Sequence, residues 1–316
     1  MSLVASLDLG TNTFRLLIAD ALSRDRLSPL LTKRAITRLG EGFAQRGRIQ
    51  PSAINRSLSV LYDFAQIIDH YQVSHVCAVA TSVVREAANG KTFIQQIYEK
   101  TGIPVRTLTG FEEARLSLTG VLSVLEQRTA YALVFDIGGG STEFILAEDT
   151  RPLRIESTPL GVLFLSETCP TSDPPTTGEL SRLSTTIRKH LSLIDFHDAL
   201  PPLVHHGDSS PLSLIGTAGT VTTLAAIDQK MELYDPGMIN NYRLSRKTVL
   251  TIYQRLTTLT AVQRTAIPGL EKGREAVIIP GAAIVLEIMD FFGYSHLTVS
   301  DAGLLEGVLL NRKSFH

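Results

Sequence analysis

The sequence predicts an α/β protein of two similar lobes around a cleft. Three observations predict it. One short pattern occurs twice, as Ser6-Leu7-Asp8-Leu9-Gly10-Thr11-Asn12-Thr13-Phe14 and as Val134-Phe135-Asp136-Ile137-Gly138-Gly139-Gly140-Ser141-Thr142-Glu143. Each copy is an apolar strand ending on aspartate, then a glycine-containing turn, then more β-prone residues, which is the pattern of a hairpin. Helix-like and strand-like segments alternate after each copy. The length, 316 residues, suffices for two domains of ordinary size.

The elements follow in order. Residues 3–8, 14–20 and about 28–38 read as three strands opening a mixed sheet. Pro51 opens a helix of about 20 residues ending near Tyr71, because proline needs no hydrogen-bond partner in a first turn. His75–Ala80 is a short apolar strand, and a loop and helix begin at Thr81–Ala87. A helix over 90–100, a strand near 105–108 and a helix over 112–125 complete the first half. The second half restarts with strands over 131–136, 143–148 and 153–158. The Pro-, Thr- and Ser-rich segment 168–178 and residues 198–211 read as loops, with a helix over 178–197 between them. A strand at 212–215 precedes Gly216-Thr217-Ala218-Gly219-Thr220 and a helix. Helices are expected over 245–257 and 274–291, a strand at 296–299, and a last helix from Ala302. The expected lobes are 1–120 and 121–301, each with one glycine loop, and the helix of 302–316 packs on the first lobe.

Composition narrows the class. Hydrophobic content is 44% and charged content 19%, as in a well-packed globular chain. No apolar run approaches the roughly 20 residues that span a bilayer, so no membrane partner is expected. The N-terminus has no basic region and no cleavage site, so a cytoplasmic location is expected. Cys77 and Cys169 sit in no metal-ligand spacing and read as idle thiols. A net charge of -1 argues against a nucleic-acid partner. Local positive charge occurs at Lys33, Arg34, Arg38, Arg46 and Arg48, which form either a solvated strand and loop or a polyanion contact.

The two glycine loops carry the chemistry. Glycine brings several N–H groups close to an anion, and Thr, Ser and Asn side chains add donors to phosphate oxygens. Two such loops facing each other would form a double phosphate clamp from Gly10, Thr11, Asn12, Thr13 and from Gly138, Gly139, Gly140, Ser141, Thr142. Neither loop is a Walker motif or a dinucleotide fingerprint. Asp8 and Asp136 can hold Mg2+, directly or through water. Glu112 and Glu113 open a helix, where they either complement its dipole or, in a phosphate cleft, orient and deprotonate a water. Glu143 can contact the same water or metal shell. Arg85, at the end of a strand, suits a bidentate phosphate contact, and Arg15 follows the first loop. The pair His205-His206 reads as solvated rather than as a metal site.

Six blocks in this order resemble the exopolyphosphatase / guanosine pentaphosphate phosphohydrolase (Ppx/GppA) family nearly end to end. They are Asp8 to Arg15, Ala80 to Ala87, Gly110 to Leu116, Asp136 to Glu143, Gly216 to Thr220 and Ser300 to Gly307. The resemblance implies two ribonuclease-H-like lobes, as in the actin/Hsp70/sugar-kinase superfamily, and release of a terminal phosphate by water attack. It implies polyphosphate or guanosine pentaphosphate as substrate, Mg2+ (or Mn2+) with no organic cofactor, and a homodimer. It makes Glu113 the catalytic glutamate with Glu143 in support, and Asp8 and Asp136 the metal carboxylates. The residues 10–13 and 138–142 with Arg85 become the phosphate grips, with Arg15 and Arg38 also at the substrate. Longer relatives carry extra helical domains, so short polyphosphates or a nucleotide are expected to suit this chain better than long polymers. Two other classes use the same scaffold: a phosphotransferase, and a sensor that binds guanosine tetraphosphate or polyphosphate without turnover.

Overall fold

The computed structural model describes residues 3–21, 27–127, 129–196, 207–208 and 211–315. The chain forms two compact units, Met1–Ser123 with Gly303–His316, and Val124–Ala302. The first unit is built on β1 (Leu3–Leu9), β2 (Thr13–Ala21), β3 (Leu27–Ile36), β4 (His75–Ala80) and β5 (Val105–Thr107). Their order in the sheet is β3-β2-β1-β4-β5. The first three are antiparallel, as tight connections require, and β4 and β5 run parallel to β1 after helical crossovers.

Alternation along β1 decides what covers each face. Ala5, Leu7 and Leu9 pack with Phe14, Leu16 and Ile18 against Leu61, Phe64, Phe93 and Ile97, from the helices Pro51–His70 and Gly90–Thr101. Val4 faces the other way, with Leu17 and Ala19, onto Leu305 and Leu309 of the helix Leu304–Leu310. Each large side chain buried in this way contributes roughly 1.5–3 kcal/mol. Leu304–Leu310 lies almost in backbone contact with the helix Gly110–Ser123. A Cβ on Gly120 would stand 1.8 Å from the carbonyl oxygen of Gly303, and one on Gly307 would stand 1.8 Å from that of Leu116. Only hydrogen fits at either position.

The second unit repeats the first. Its strands are β6 (Tyr131–Ile137), β7 (Thr142–Glu148), β8 (Arg151–Thr158), β9 (Leu212–Thr217), β10 (Arg243–Ser245) and β11 (His296–Val299). Their order is β10-β11-β9-β6-β7-β8. Read from β8, the series β8-β7-β6-β9-β11 matches β3-β2-β1-β4-β5 in pairing sense, with β10 added at the edge. Helix Thr177–Leu191 starts at a capping box between Thr176 and Glu179. Helix Ile278–Phe291 is apolar nearly all round and is buried accordingly.

Several expectations are corrected. The third strand stops at Ile36, two residues short of Arg38, which takes a left-handed φ of 50°. The helix expected over 178–197 ends at Leu191 and that expected over 274–291 begins at Ile278. The helix Val162–Thr168 and the three-residue β10 were not expected. The pair His205-His206 lies outside the described residues.

Candidate active site

In the first unit the site residues gather at the carboxyl ends of β1 and β4, which the register places side by side at Leu9 and Ala80. Asp8 is 4% exposed. Its Oδ2 accepts from Arg15 Nε at 2.9 Å and Nη2 at 2.6 Å, while its Oδ1 is buried without a hydrogen-bond partner. A buried carboxylate oxygen without a donor is costly, and a cation or a cation-bound water is the kind of group that satisfies it.

The loop 10–13 is held from two sides. The Asn12 carbonyl accepts from the N–H groups of Thr37 and Arg38, each at 2.9 Å, and the Thr11 carbonyl accepts from Gly40 at 2.8 Å. The hydroxyls of Thr11 and Ser82 lie 3.0 Å apart. With these carbonyls engaged, the negative ends of the loop peptides are compensated, which favours an anion nearby. Arg38 is therefore anchored to the loop by its backbone, and its side chain is exposed.

Arg85 sits in the last turn of the short helix Ser82–Glu86 rather than at a strand end. Its Nη1 donates to the Leu108 carbonyl at 2.9 Å and lies 3.4 Å from Glu113 Oε2. The adjacent glutamates separate clearly. The Thr109 N–H and hydroxyl both donate to Glu112 Oε2 at 2.9 Å, and the Glu112 N–H donates to Thr109 Oγ1 at 3.2 Å. That reciprocal pair is a helix cap. The Thr109 backbone hydrogen bond, its side-chain hydrogen bond and then Arg106 hold the Glu112 carboxyl below its usual range. Glu112 thus takes the dipole-complementing role, and Glu113 stands one residue on beside Arg85.

In the second unit the glycine loop closes by Gly138 N–H donating to the Ser141 carbonyl at 2.8 Å. The start of Val162–Thr168 supports it from below. Val162 donates to the Gly138 carbonyl at 3.1 Å, and Leu163 and Phe164 donate to that of Gly139 at 2.8 and 3.1 Å. Thr142 is fully buried and gives its hydroxyl to the Leu160 carbonyl at 2.5 Å, so its side chain shapes the loop from inside. Sequence reasoning missed Gly161, where helix and loop touch, and Ser157, which donates to Glu143. A lone glycine after β8 was the only signal for the first.

Glu143 stands directly across the β6–β7 ladder from Asp136. Burial first, and the charge of Asp136 second, push its carboxyl from 4.5 to about 7, against the hydrogen bonds from Ser141 and Ser157. The corresponding position in the first unit is Arg15, across from Asp8. The repeated backbone therefore carries opposite charge at one position.

The upward shift has a consequence for stability. Below pH 4.5 the group is protonated whether the chain is folded or not. Between there and about 7 the folded protein holds a proton that the unfolded chain releases, so stability falls as pH rises. With divalent cations chelated, the expected loss between pH 5 and 8 is on the order of 2 kcal/mol. Glu143→Gln should remove most of it. Denaturant unfolding at a series of pH values measures both slopes, and equal slopes would refute the assignment.

Among the described residues no three His, Cys, Asp or Glu side chains converge as a metal cluster. Asp8 belongs to the first unit and Asp136 to the second. Mg2+ typically takes one or two carboxylates and completes its shell with water and substrate oxygens, a demand that the orphan Oδ1 of Asp8 fits. No helix among the described residues is long and apolar enough to cross a membrane.

Comparison with known proteins agrees with this geometry. The profile of the Ppx/GppA phosphatase family matches residues 17–315. The chain is 36% identical over 324 residues to Exopolyphosphatase 2 of Mycobacterium tuberculosis, covering 98% of each. It superposes on the Aquifex aeolicus member of the Ppx/GppA family with a TM-score of 0.83 at 31% identity, over 100% of this chain and 99% of that one. An exopolyphosphatase from Cytophaga hutchinsonii gives 0.85 at 28% identity, over 99% and 98%. The architecture is thus the α/β fold of the actin/Hsp70 superfamily that the family resemblance implied.

Proposed function

The chain belongs to the Ppx/GppA phosphatase family, and on that premise we propose that it is a Mg2+-dependent phosphoanhydride hydrolase. It releases the terminal phosphate of inorganic polyphosphate, guanosine pentaphosphate or both by attack of water. The observation that carries this reading is Glu113 beside Arg85, on the same strand ends as the loop 10–13 and the half-satisfied Asp8. Hydrolysis needs a water placed in line and charge neutralised on the transferring phosphoryl group. Glu113 orients that water and takes its proton. The loops 10–13 and 138–142 supply N–H and hydroxyl donors, and Arg85 supplies positive charge. Asp8 and Asp136 are the residues to hold Mg2+, which when bound polarises the phosphoryl oxygens. Arg15 orients Asp8 through two hydrogen bonds. Glu143, opposite Asp136 on the β6–β7 ladder, would stand in support of that carboxylate. A cytoplasmic homodimer belongs to the same reading and rests on the sequence and the family resemblance.

The test is inorganic phosphate release from defined-length polyphosphates, guanosine pentaphosphate and ATP, with and without Mg2+. Release from one of the first two, lost on chelation and restored by Mg2+, is expected. Transfer only to an added acceptor, or tight binding with no release, would replace the hydrolase with the phosphotransferase or the sensor.

A further inference from the structure

The two glycine loops are supported in different ways. In the second unit the chain leaving β8 runs into the helix Val162–Thr168, whose first N–H groups hold the carbonyls of Gly138 and Gly139. In the first unit the chain leaving β3 makes a turn instead. Thr37 and Arg38 donate to the Asn12 carbonyl, and Gly40 donates to that of Thr11. A helix start offers aligned N–H groups with no partner of their own, whereas a turn has no such ladder to keep its donors in line. This turn also carries Arg38 at a left-handed φ of 50°, which a residue with a side chain adopts only where its surroundings impose it.

Arg56, on the second turn of the helix Pro51–His70, reaches across to the turn. Its Nε donates to the Thr37 carbonyl at 3.1 Å and its Nη2 donates to Glu41 Oε2 at 2.6 Å, with the Arg38 carbonyl 3.5 Å from the same Nη2. The Thr37 carbonyl and the Arg38 N–H belong to one peptide group. The hydrogen bonds therefore run in series, from the guanidinium to the Thr37–Arg38 peptide and from that peptide to the Asn12–Thr13 peptide of the glycine loop. Bonds in such a chain polarise one another, so the cation strengthens the hold on Asn12 without touching it. Thr37 is fully buried, so its carbonyl cannot exchange this donor for bulk water unless the turn opens. Packing does not explain the arginine. Its side chain is 42% exposed, while Ala53, Ser57 and Leu61 form the buried face of the helix.

We propose that Arg56 is a positioning residue for phosphate release, which fixes the loop 10–13 and the backbone of Arg38 through the Thr37–Arg38 peptide. This rests on the hydrolase reading, which supplies the phosphate that the loop grips. The contact with Thr37 aligns the loop, and the pairing with Glu41 does not. That ion pair is open to water, with side chains 42% and 57% exposed, and pairs of this kind contribute little. Glu41 therefore provides a control that removes a partner of Arg56 and leaves the series of hydrogen bonds in place.

The experiment compares Arg56→Met, Arg56→Lys and Glu41→Gln in Mg2+-supported phosphate release from tripolyphosphate, with thermal unfolding of each. Arg56→Met keeps an unbranched apolar stem and removes every donor. Its kcat should fall about ten-fold with KM within about three-fold, because the loop keeps its own donors and loses their alignment. Only one N–H of Arg56 meets the Thr37 carbonyl within 3.1 Å, so a lysine ammonium can take its place, and Arg56→Lys should restore kcat to within about three-fold of wild type. Glu41→Gln should change kcat less than about two-fold. A lower unfolding temperature in Arg56→Met with wild-type kcat in the folded protein would overturn the proposal, as would equal losses of kcat in Arg56→Met and Glu41→Gln. Amide hydrogen exchange gives a readout that needs no turnover. The Arg38 N–H should exchange about ten-fold faster in Arg56→Met, with the amides of Val162, Leu163 and Phe164 unchanged. A wild type that released no phosphate would sink the hydrolase reading by itself, and unaltered exchange at Arg38 in Arg56→Met would sink the positioning role by itself.

Discussion

Replacing Glu113 by glutamine is expected to lower kcat for phosphate release about 1,000-fold, with KM changed no more than about three-fold. The amide keeps the size of the side chain and can still accept from Arg85, so the variant isolates loss of the base. Glu113 and Arg85 each have side chains 30% exposed. A pair that open to water contributes at most about 1 kcal/mol to folding, so the variant should unfold within a few degrees of the wild type. Glu112→Gln is the informative companion. It weakens the cap on Thr109 but removes nothing from the reacting centre. Its kcat should stay within a few-fold, at a stability cost of about 0.5–1 kcal/mol. Steady-state phosphate release and thermal unfolding on both variants decide the matter. Wild-type kcat in Glu113→Gln would remove the water-activating role from this residue, and a collapse in Glu112→Gln alone would transfer it to the neighbour.

The contrast between these glutamates shows what sequence can and cannot reveal. Both suit the first turn of a helix by charge, and the Thr109-x-x-Glu112 spacing of a capping box was the unused signal for which one folds back. What the sequence does not show is which arginine each meets, because Arg106 and Arg85 arrive from β5 and from the helix after β4. The strands, by contrast, were legible locally. Alternating Ala5, Leu7 and Leu9 against Val4, Ser6 and Asp8 marks a strand before any partner is known, although both of its faces prove to be buried. Pro51 and the paired Asp-apolar-Gly turns likewise act through their own backbone. The helix Val162–Thr168 was not legible because its first N–H groups are satisfied by Gly138 and Gly139, more than twenty residues upstream. Thr142 shows the same dependence on distant backbone. Its hydroxyl suits a phosphate grip by type, yet tertiary packing turns it toward the Leu160 carbonyl. Arg34 sat within a basic run that composition alone could not divide, and only the ladder register assigns it and Lys33 to opposite faces.

Gly161→Ala should cost more activity than any substitution outside the reacting groups, although it adds one methyl. Gly161 has φ −95° and ψ 154°, extended backbone that alanine adopts freely. The effect is therefore steric alone. The added Cβ would stand 2.1 Å from the Gly139 carbonyl oxygen and 2.3 Å from the carbonyl carbons of Gly139 and Gly140. All three are main-chain atoms of the loop 138–142, so no flexible side chain can yield in their place. Either the loop moves by about an ångström, or the helix withdraws and releases the bonds from Val162, Leu163 and Phe164. Overpacking of this kind typically costs 1–3 kcal/mol. Misplacing a phosphate grip by about 1 Å costs on the order of 100-fold in rate, and kcat/KM should fall by at least that much. Gly178→Ala tests the same chemical change where nothing lies within 4 Å, and it should leave kcat/KM unaltered. Wild-type kcat/KM in Gly161→Ala would mean that the contact between this glycine and the loop does not position the loop for catalysis. A loss confined to stability, with kcat/KM intact at low temperature, would lead to the same conclusion. A fall in kcat/KM in a protein that stays folded is the outcome expected if the loop's shape, set from beneath by Gly161, is what aligns the phosphate.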